Sequence, residues 1–398
     1  MPPPPGRWFA VILLQYNLRD PFWDRDAGLF HEGFKANGVD SRFVALGDPA
    51  MVQRPDLVLA SQPQMEDPAW WRQWKLEGVV LYSWALPRFT RVTRALKEAG
   101  VKVVLVLDAD GVRSPQVWFS RYLQTKYVYA RMERRFFPWA VALAKTLGAL
   151  PRSHYTQTLQ HLELADRIGV PSPLGMQRFS RFLLHCGRPD LVPRLTLLHH
   201  PVASHMTYNP AVRKQPLIVA VGGWERLVKG APLLVQALAR ALPRRPEYRA
   251  RIIGSGREAL EERVGKLPPE LRQRIEIPGP IPNSQLGRHY QEARIFVNSS
   301  YSESFGIAAA EALCCGCSVV GTALIASFNY FCSEASGTLS CNRSPALYCD
   351  AIWAEMAAWD SGRRDPARIS ATWTARLHAG QVARSVLDIT RASCGSAT

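Results

Sequence analysis

Two glutamates, Glu303 and Glu311, are separated by seven residues in the most informative stretch of the chain, residues 295–322. Their carboxylates can accept hydrogen bonds from paired hydroxyl groups, such as those of a hexose or a ribose. The helix predicted to begin after Glu303 leaves unpaired backbone N–H groups at its start, which suit a phosphate. Gly306 lets the backbone approach a ligand closely. The spacing indicates a nucleotide-sugar cradle, and the alternative is a buried strand–helix–strand with two solvated glutamates.

The elements that would hold these glutamates follow from the local sequence. Residues 295–297 form a short apolar run typical of a buried strand, and 298–302 are polar and predict a turn. Residues 307–313 are rich in alanine and predict a helix, which should end at Gly316. Residues 318–320 then predict another strand. Glu303 therefore precedes the helix and Glu311 lies inside it, in a unit of strand, loop, helix and strand.

Residues 302–322, SESFGIAAAEALCCGCSVVGT, resemble the family 4 (GT4) retaining glycosyltransferases of group 1, whose signature is E-x7-E. Residues 217–256 resemble the first two strands of that family's donor domain, and residues 277–300 resemble its next strand, turn and helix. The resemblance is weak before residue 210. It implies an α/β chain with the GT-B fold, in which two doubly wound Rossmann-like domains face each other across a cleft.

The resemblance also implies roles for individual residues. Glu303 would hold hydroxyls of the donor sugar and Glu311 those of the ribose, while Arg226 and Lys229 would neutralise the diphosphate as it leaves. The catalytic residues implied are Glu303, Lys229, Arg226 and Asp108. The donor-binding residues implied are Gly223, Gly254, Ser304, Phe305, Gly306, Ile307 and Glu311. No metal site and no cofactor are expected, since the nucleotide sugar, a UDP- or GDP-sugar, is a co-substrate.

The first half of the chain departs from the family pattern. Its opening predicts a βαβ unit, but the loop at residues 26–28 keeps one glycine where relatives often have two. Asp108 and Asp110 follow a buried strand, near a position where similar enzymes often have a histidine. An active-site role and simple capping of the next segment both remain open for these aspartates.

Four segments are expected along the chain. Residues 1–6 should be a flexible tail, 7–212 an acceptor-side Rossmann-like domain, and 213–375 the donor domain. Residues 376–398 should form a helix that crosses back to the first domain. The linker region near residue 200 contains His199, His200 and His205 without the acidic partners of a metal site, so we expect linker residues there.

Residues 117–147 are aromatic and basic. The six cations of this region, accompanied by one acid, Glu133, are Arg121, Lys126, Arg131, Arg134, Arg135 and Lys145. The segment suits peripheral contact with an anionic bilayer, and a scaffold helix is an equally good interpretation. Residues 67–78 contain three tryptophans, which predict an amphipathic helix more than a sugar or lipid platform.

Composition limits the remaining possibilities. The 398 residues carry a formal charge of +16, which suits anionic substrates or surfaces, but no nucleic-acid motif accompanies it. The sequence has no uncharged apolar run of transmembrane length and no signal-peptide core, so a cytoplasmic location is expected, with contact at the inner membrane face. The eight cysteines lack zinc-site spacing and should act as small buried hydrophobes.

The resemblance thus implies a hexosyltransferase-class enzyme that moves a sugar from a nucleotide-diphosphate sugar to an acceptor hydroxyl of a glycan or lipid-linked molecule, with retention of configuration. One alternative is a GT-B relative such as a nucleotide-sugar epimerase or a phosphorylase. The other is a degenerate, non-enzymatic binder of anionic surfaces.

Overall fold

The computed structural model of the chain describes residues 6–13, 23–47, 54–148 and 152–392. The predicted tail at residues 1–6, apart from Gly6, and the end of the last predicted segment, 393–398, lie outside these ranges. Most of the polar loop that follows the first strand lies outside them as well.

The described elements alternate between strand and helix for most of the chain, as the sequence predicts. The strands are β1 (Arg7–Ile12), β2 (Phe43–Leu46), β3 (Leu57–Ala60), β4 (Leu76–Tyr82), β5 (Lys102–Val106), β6 (Arg167–Val170), β7 (Leu195–Leu197), β8 (Gln215–Val221), β9 (Arg249–Ile253), β10 (Ile275–Gly279), β11 (Ala293–Val297), β12 (Ser318–Thr322) and β13 (Gly337–Ser340). The helices are α1 (Asp26–Ala36), α2 (Gln62–Met65), α3 (Pro68–Arg72), α4 (Thr90–Glu98), α5 (Pro115–Glu133), α6 (Phe137–Thr146), α7 (Thr156–Glu163), α8 (Pro173–His185), α9 (Ala231–Ala241), α10 (Arg257–Val264), α11 (Pro269–Arg272), α12 (Asn283–Glu292), α13 (Ile307–Cys314), α14 (Phe328–Phe331), α15 (Pro345–Asp360), α16 (Pro366–Leu377) and α17 (Ala379–Ala392).

The chain packs into two compact units, each of them discontinuous in sequence. The first comprises residues 1–111, 150–203 and 376–398, and the second comprises 112–149 and 204–375. The predicted α/β class with two doubly wound parallel sheets is confirmed. The functional division at residue 212, with donor binding in 213–375, stays a prediction.

The first unit is built on a seven-stranded parallel sheet of order β3-β2-β1-β4-β5-β6-β7. Its central strands are continuous runs of apolar residues because both faces of a parallel sheet are covered. The chain first builds outward from β1 through β2 to β3 and then continues on the other side of β1 with β4. The point where the order reverses, beyond the carboxyl ends of β1 and β4, is where such sheets bind ligands.

Two local features of this part of the chain were not predicted from the sequence. Residues 195–197, just before the predicted linker region, form β7, which pairs in parallel with β6 through Ile168 and Leu195. Helix α17 lies within the segment 376–398 that was predicted as helical, and a separate helix, α16, precedes it. They separate because the backbone of Val202 bonds to Leu377 O and Ala379 N at the break, at 2.7 and 3.0 Å. Helix α17 then packs on α1, where Asn37 Nδ2 donates to Gly380 O at 2.7 Å.

The second unit is built on a six-stranded parallel sheet of order β10-β9-β8-β11-β12-β13. Helices α9 and α15 contribute to the buried core that covers one face of this sheet. Strands β8 and β11 are neighbours at the centre, so the loops that follow them lie side by side at the carboxyl edge. Those two loops carry Lys229 and Glu303.

Residues 117–147 were expected as one helical region but form two helices, α5 and α6. Arg134 adopts a left-handed conformation with φ of 53°, which ends α5, and Pro138 begins α6 in the first turn, where proline is favoured. Within the ranges that the structure describes, no helix combines the length and the apolar character needed to cross a bilayer.

Candidate functional site

The centre of the candidate site is an ion pair between Lys229 and Glu303. Lys229 Nζ lies 2.6 Å from Glu303 Oε1, with side-chain exposures of 22% and 13%. Ser300 Oγ donates to the same carboxylate oxygen at 2.6 Å. Among the described residues Glu303 Oε2 has no hydrogen-bond partner, so this oxygen is available to a ligand. The sequence predicted both residues at the site, and the structure brings their charges into contact.

Local backbone geometry explains why the two side chains meet. Lys229 ends a 3₁₀ turn that Gly230 closes with φ of +69°. A Cβ at Gly230 would lie 2.2 Å from Ser299 O, so only glycine lets the turn approach the loop after β11 this closely. Ser299 Oγ donates to Lys229 O at 2.8 Å, and Tyr301 N donates to Val228 O at 2.7 Å. The turn and the loop therefore form one hydrogen-bonded unit.

The start of α13 lies three residues after Glu303. Gly306 stands before the first helical residue with φ of +89°, a left-handed conformation that side-chain-bearing residues rarely adopt. Ile307 and the residue after it occupy the first positions of the helix, where backbone N–H groups have no intrahelical acceptor. Phe305 is fully buried and packs edge-on against Phe331, with ring centroids 5.0 Å apart. The phenylalanine anchors the loop, and the half-buried Ser304 precedes it.

Glu311 is buried inside the second unit, with 5% of its surface exposed. Asn283 Nδ2 donates to its Oε1 and the Tyr290 hydroxyl donates to its Oε2, both at 3.1 Å. Tyr290 is itself fully buried. Replacing Glu311 by alanine would therefore leave a buried hydroxyl without its acceptor, which destabilises the fold as well as any ligand contact. The expected ribose contact stays a prediction, and its test needs a variant that keeps this acceptor.

The glycine turns after β8 and β9 form a second wall of the candidate site. Gly254 has φ of +131°, and a Cβ there would lie 1.8 Å from Gly222 O. Trp224 N donates to Ser255 O at 2.9 Å, which ties the turn that contains Gly223 to its neighbour. Arg226 is exposed one turn before Lys229. The predicted donor-binding glycines thus lie in two turns that pack together, and their contact with a donor stays a prediction.

Asp108, the remaining predicted catalytic residue, lies in the first unit and belongs to a different cluster. It follows β5, and its Oδ2 accepts a hydrogen bond from Trp84 Nε1 at 3.1 Å. Its Oδ1 lies 3.4 Å from Nε2 of His200, whose other ring nitrogen, Nδ1, lies 3.4 Å from Asp26 Oδ1. His200 is 1% exposed, so the imidazole is enclosed between two carboxylates.

The electrostatics of this cluster favour a charged imidazole. Burial by itself lowers the pKa of His200, but the hydrogen bonds and charges of Asp108 and Asp26 outweigh it and raise the pKa from 6.5 to about 9. For Asp26, burial raises the pKa, while His200 and Arg25 together lower it below its ordinary value of 3.8. At neutral pH the cluster is therefore an imidazolium between two carboxylates. Asp26 adopts φ of +50° to reach this position.

His200 lies between β7 and β8, in the predicted linker region, but it has two acidic partners that the sequence alone did not reveal. Its partners come from positions 26 and 108, which only the sheet brings together at the carboxyl ends of β1 and β5. The missing second glycine in the first loop was the one available signal, because Asp26 stands there in a left-handed conformation that glycine adopts more easily. Asp110 follows Asp108 but faces Arg178, whose Nη1 lies 3.7 Å from its carboxylate.

The predicted basic surface at residues 117–147 is smaller than the sequence suggested. Arg121 and Lys145 are buried, so two of the six cations do not contribute to an exposed surface. Arg131, Arg134 and Arg135 are exposed. The exposed apolar side chains of the same helices and their ends are Phe119, Tyr127, Phe136, Phe137, Leu143 and Leu147.

The described residues hold no group of three or more histidine, cysteine or acidic side chains placed to bind a metal ion. Cys314, Cys315 and Cys317 are buried where α13 ends and β12 begins. Cys317 Sγ contacts the backbone carbonyl of Tyr290 at 3.0 Å, and burial raises its pKa above the ordinary value. These thiols are packed as small hydrophobic side chains.

Residues 215–355 match the family model described as group 1 glycosyl transferases. A D-inositol 3-phosphate glycosyltransferase of Xylanimonas cellulosilytica is 33% identical over 208 residues, which are 48% of this chain and 47% of that protein. A second D-inositol 3-phosphate glycosyltransferase, from Frankia alni, is 33% identical over 183 residues, 44% of this chain and 42% of that protein. The chain spans about half the length, or less, of these relatives.

Solved structures match over nearly the whole chain. The Anabaena protein HepE in complex with UDP covers 97% of this chain and all of its own, with a TM-score of 0.68 and 11% identity. The sucrose-phosphate synthase of Thermosynechococcus elongatus covers 98% of this chain and all of its own, with a TM-score of 0.64 and 16% identity. At these identities the likeness shows the fold alone, and that fold is GT-B.

Proposed function

Because residues 215–355 match the group 1 glycosyl transferases and the chain has the GT-B fold, we propose that it transfers a sugar from a nucleotide-diphosphate sugar to an acceptor hydroxyl, with retention of configuration. The observation that carries this proposal is the Lys229–Glu303 pair at the carboxyl edge of the second sheet. It combines one cation, one carboxylate with an available oxygen, and the start of a helix within a few residues.

In this proposal each group has a separate task. Glu303 Oε2 accepts hydrogen bonds from hydroxyls of the donor sugar. Lys229, helped by Arg226, stabilises the negative charge that grows on the diphosphate as the glycosidic bond breaks. The N–H groups at the start of α13 bind an anionic oxygen of the donor. Leaving-group stabilisation, rather than a protein base, then supplies most of the rate acceleration.

The donor proposed is a UDP- or GDP-sugar, and the HepE structures, which contain UDP, UDP-glucose or UDP with glucose, support the first of these. We place donor binding in residues 213–375 and acceptor binding in residues 7–212. The acceptor proposed is a glycan or a lipid-linked molecule. Two relatives are named for D-inositol 3-phosphate, which makes a polyol phosphate the first soluble acceptor to try.

The transferase proposal is tested with a thermal-shift screen of UDP-, GDP- and ADP-sugars, followed by assays of the donor that stabilises the protein. We expect release of the nucleoside diphosphate and, with an acceptor, a glycoside whose anomeric configuration matches the donor by NMR. Isomerised nucleotide sugar without release would indicate an epimerase. Phosphate-dependent formation of a sugar 1-phosphate would indicate a phosphorylase. The absence of any stabilising nucleotide would favour the non-enzymatic binder.

We also propose that α5 and α6 bring the protein to an anionic membrane surface at the inner face of the membrane. The specific observation is that Phe136 and Phe137 are 55% and 79% exposed beside exposed Arg131, Arg134 and Arg135. Exposed aromatics can insert at the headgroup level while cations bind anionic lipids, each cation contributing about 1 kcal/mol near the surface. A scaffold role does not require large apolar side chains in water.

Co-sedimentation with vesicles tests this docking surface. Wild-type protein should sediment with vesicles that contain phosphatidylserine at low salt, leave them at high salt, and bind neutral vesicles weakly. Charge reversal of Arg131, Arg134 and Arg135 to glutamate should abolish sedimentation. The matched control reverses three exposed arginines elsewhere in the same unit, Arg272, Arg363 and Arg368. If both triple variants sediment like the wild type, α5 and α6 are scaffold.

A further inference from the structure

The carbonyl oxygen of Tyr301 is the acceptor for two guanidinium groups. Arg121, in α5, donates to it through Nη1, and Arg343, before α15, donates to it through Nη2 at 2.6 Å. Arg343 Nη1 also donates to Gln124 Oε1 of α5 at 2.8 Å. The guanidinium of Arg343 lies 5.3 Å from the centre of the Tyr301 ring. Helix α5 is thus linked to the loop after β11 both directly and through Arg343.

Tyr301 lies two residues before Glu303 and is held on its other side as well. Its N–H donates to Val228 O at 2.7 Å, next to Lys229. The peptide groups of this one residue therefore contact α5 on one side and the 3₁₀ turn that carries Lys229 on the other. A loop without such ties samples many conformations, so these bonds define where Glu303 is presented.

Burial distinguishes Arg121 from the other cations of its segment. Arg121 is 2% exposed, although α5 leaves Arg131 and Phe119 in solvent. Arginine is seldom fully buried unless it is paired, and a charged donor makes a stronger hydrogen bond than a neutral one. Its bond to the Tyr301 carbonyl reaches across a sequence separation of 180 residues. The inner face of α5 thus contacts the loop after β11 through Arg121, whereas its outer face is exposed to solvent.

We propose that Arg121 is a positioning residue for the donor site: with Arg343 it fixes the carbonyl of Tyr301 and so holds Glu303 against Lys229. The consequence for catalysis rests on the proposed transferase function, whereas the positioning of Glu303 by Arg121 does not depend on it. Because Arg121 belongs to α5, a displacement of this helix is transmitted to the loop that carries Glu303.

The first test measures amide hydrogen exchange in the peptide that covers residues 298–306, which requires no ligand. Arg121→Met removes the guanidinium and retains an apolar chain, and we expect exchange in this peptide to become about tenfold faster. Arg121→Lys should restore part of the protection, because an ammonium still donates to the carbonyl. The matched control is Arg288→Met in the same unit, whose side chain is 82% exposed.

Exchange at 298–306 that is the same in Arg121→Met and in the Arg288→Met control would overturn the proposal. If Arg121→Met does not fold, Arg121→Lys and Arg343→Met decide by the same measurement, since each weakens one of the two bonds to Tyr301. Faster exchange spread over the whole second unit would also overturn it, because that result indicates general destabilisation.

A kinetic test separates positioning from donor binding, with consumption of UDP-glucose and of GDP-mannose as probes. Arg121→Met should lower kcat about tenfold and leave KM within about twofold, because Glu303 is displaced while the diphosphate contacts remain. Equal losses in kcat for Arg121→Met and Arg288→Met would contradict the assignment. If the wild type consumes neither probe, the transferase proposal loses its support, and the exchange measurement still decides the role of Arg121.

Discussion

In each unit a cation lies beside one or two carboxylates at the carboxyl edge of a parallel sheet. The two clusters differ in how far their side chains are exposed to solvent. Lys229 and Glu303 are partly exposed, with one charge of each sign and a carboxylate oxygen available. His200 is enclosed between Asp26 and Asp108, with 1% exposure. A partly exposed pair can exchange its partner for a ligand at small cost, whereas breaking a buried one leaves an uncompensated charge. The second-unit pair is suited to chemistry, and the first-unit cluster to holding its loops in place.

The largest expected effect is on turnover at the second-unit pair. Lys229→Ala should lower kcat about 10²–10³-fold, because it removes a charge that acts mainly on the departing diphosphate. KM for the nucleotide sugar should change much less. The matched control is Lys266→Ala, since Lys266 is an exposed lysine of the same unit that pairs with Glu262. A Lys229→Ala enzyme with wild-type kcat would remove Lys229 from the mechanism.

The next effect concerns the stability of the first-unit cluster. The pKa of His200 is raised above its unfolded value, so its contribution is complete below pH 6.5 and is lost as pH rises through about 9. His200→Asn should therefore lower the free energy of unfolding by about 3 kcal/mol at pH 6, with a smaller difference from wild type at pH 9.5. Denaturant unfolding of both proteins at the two pH values measures this. A difference that does not depend on pH would show that the imidazolium does not stabilise the fold.

Other titratable groups lie near His200, and their contributions to the pH dependence of stability should be the same in the wild type and the variant. Tyr82, Asp26 and Asp108 face the imidazole, Arg25 bonds to Asp26, and His199 precedes it in sequence. Burial lowers the pKa of His199 to about 4, so it stays neutral across the range tested. The pH-dependent part of the difference between the two proteins therefore belongs to position 200.

A smaller effect is expected at Glu311. This carboxylate is buried, like that of Asp26 beside His200, yet it is predicted to bind a ligand, the ribose, as Glu303 is predicted to bind the sugar. Glu311→Gln keeps an oxygen that can accept from Tyr290 and removes the charge. Nucleoside diphosphate affinity should fall by about 1.5–3 kcal/mol in calorimetric titrations, while the melting temperature changes little. If affinity is unchanged and only stability falls, Glu311 is part of the core, like His200.

The sequence was most informative where apolar runs are continuous and motif residues are close together in the chain. Buried parallel strands such as β5 and β8 lack polar interruptions, so their positions were predicted within a few residues. Glu303, Gly306 and Glu311 lie within one loop and helix, which makes their proximity a local property.

The remaining features depend on contacts between distant parts of the chain. Strand β7 has three residues and no periodicity to identify it, and it exists because β6 offers an unpaired edge. His200 is charged because the ends of two strands bring Asp26 and Asp108 to it. Arg121 looked like one cation among six, and only the packing of α5 shows that it is buried.

The central claim is that the second unit, at Lys229 and Glu303, binds the donor. Amide hydrogen exchange with and without UDP, GDP and ADP tests it most directly, because each unit serves as the control for the other. We expect one nucleotide to slow exchange in peptides that cover residues 222–230 and 303–309, with residues 82–86 and 198–203 unchanged. Protection confined to the first unit, or none with any of the three nucleotides, would contradict the account.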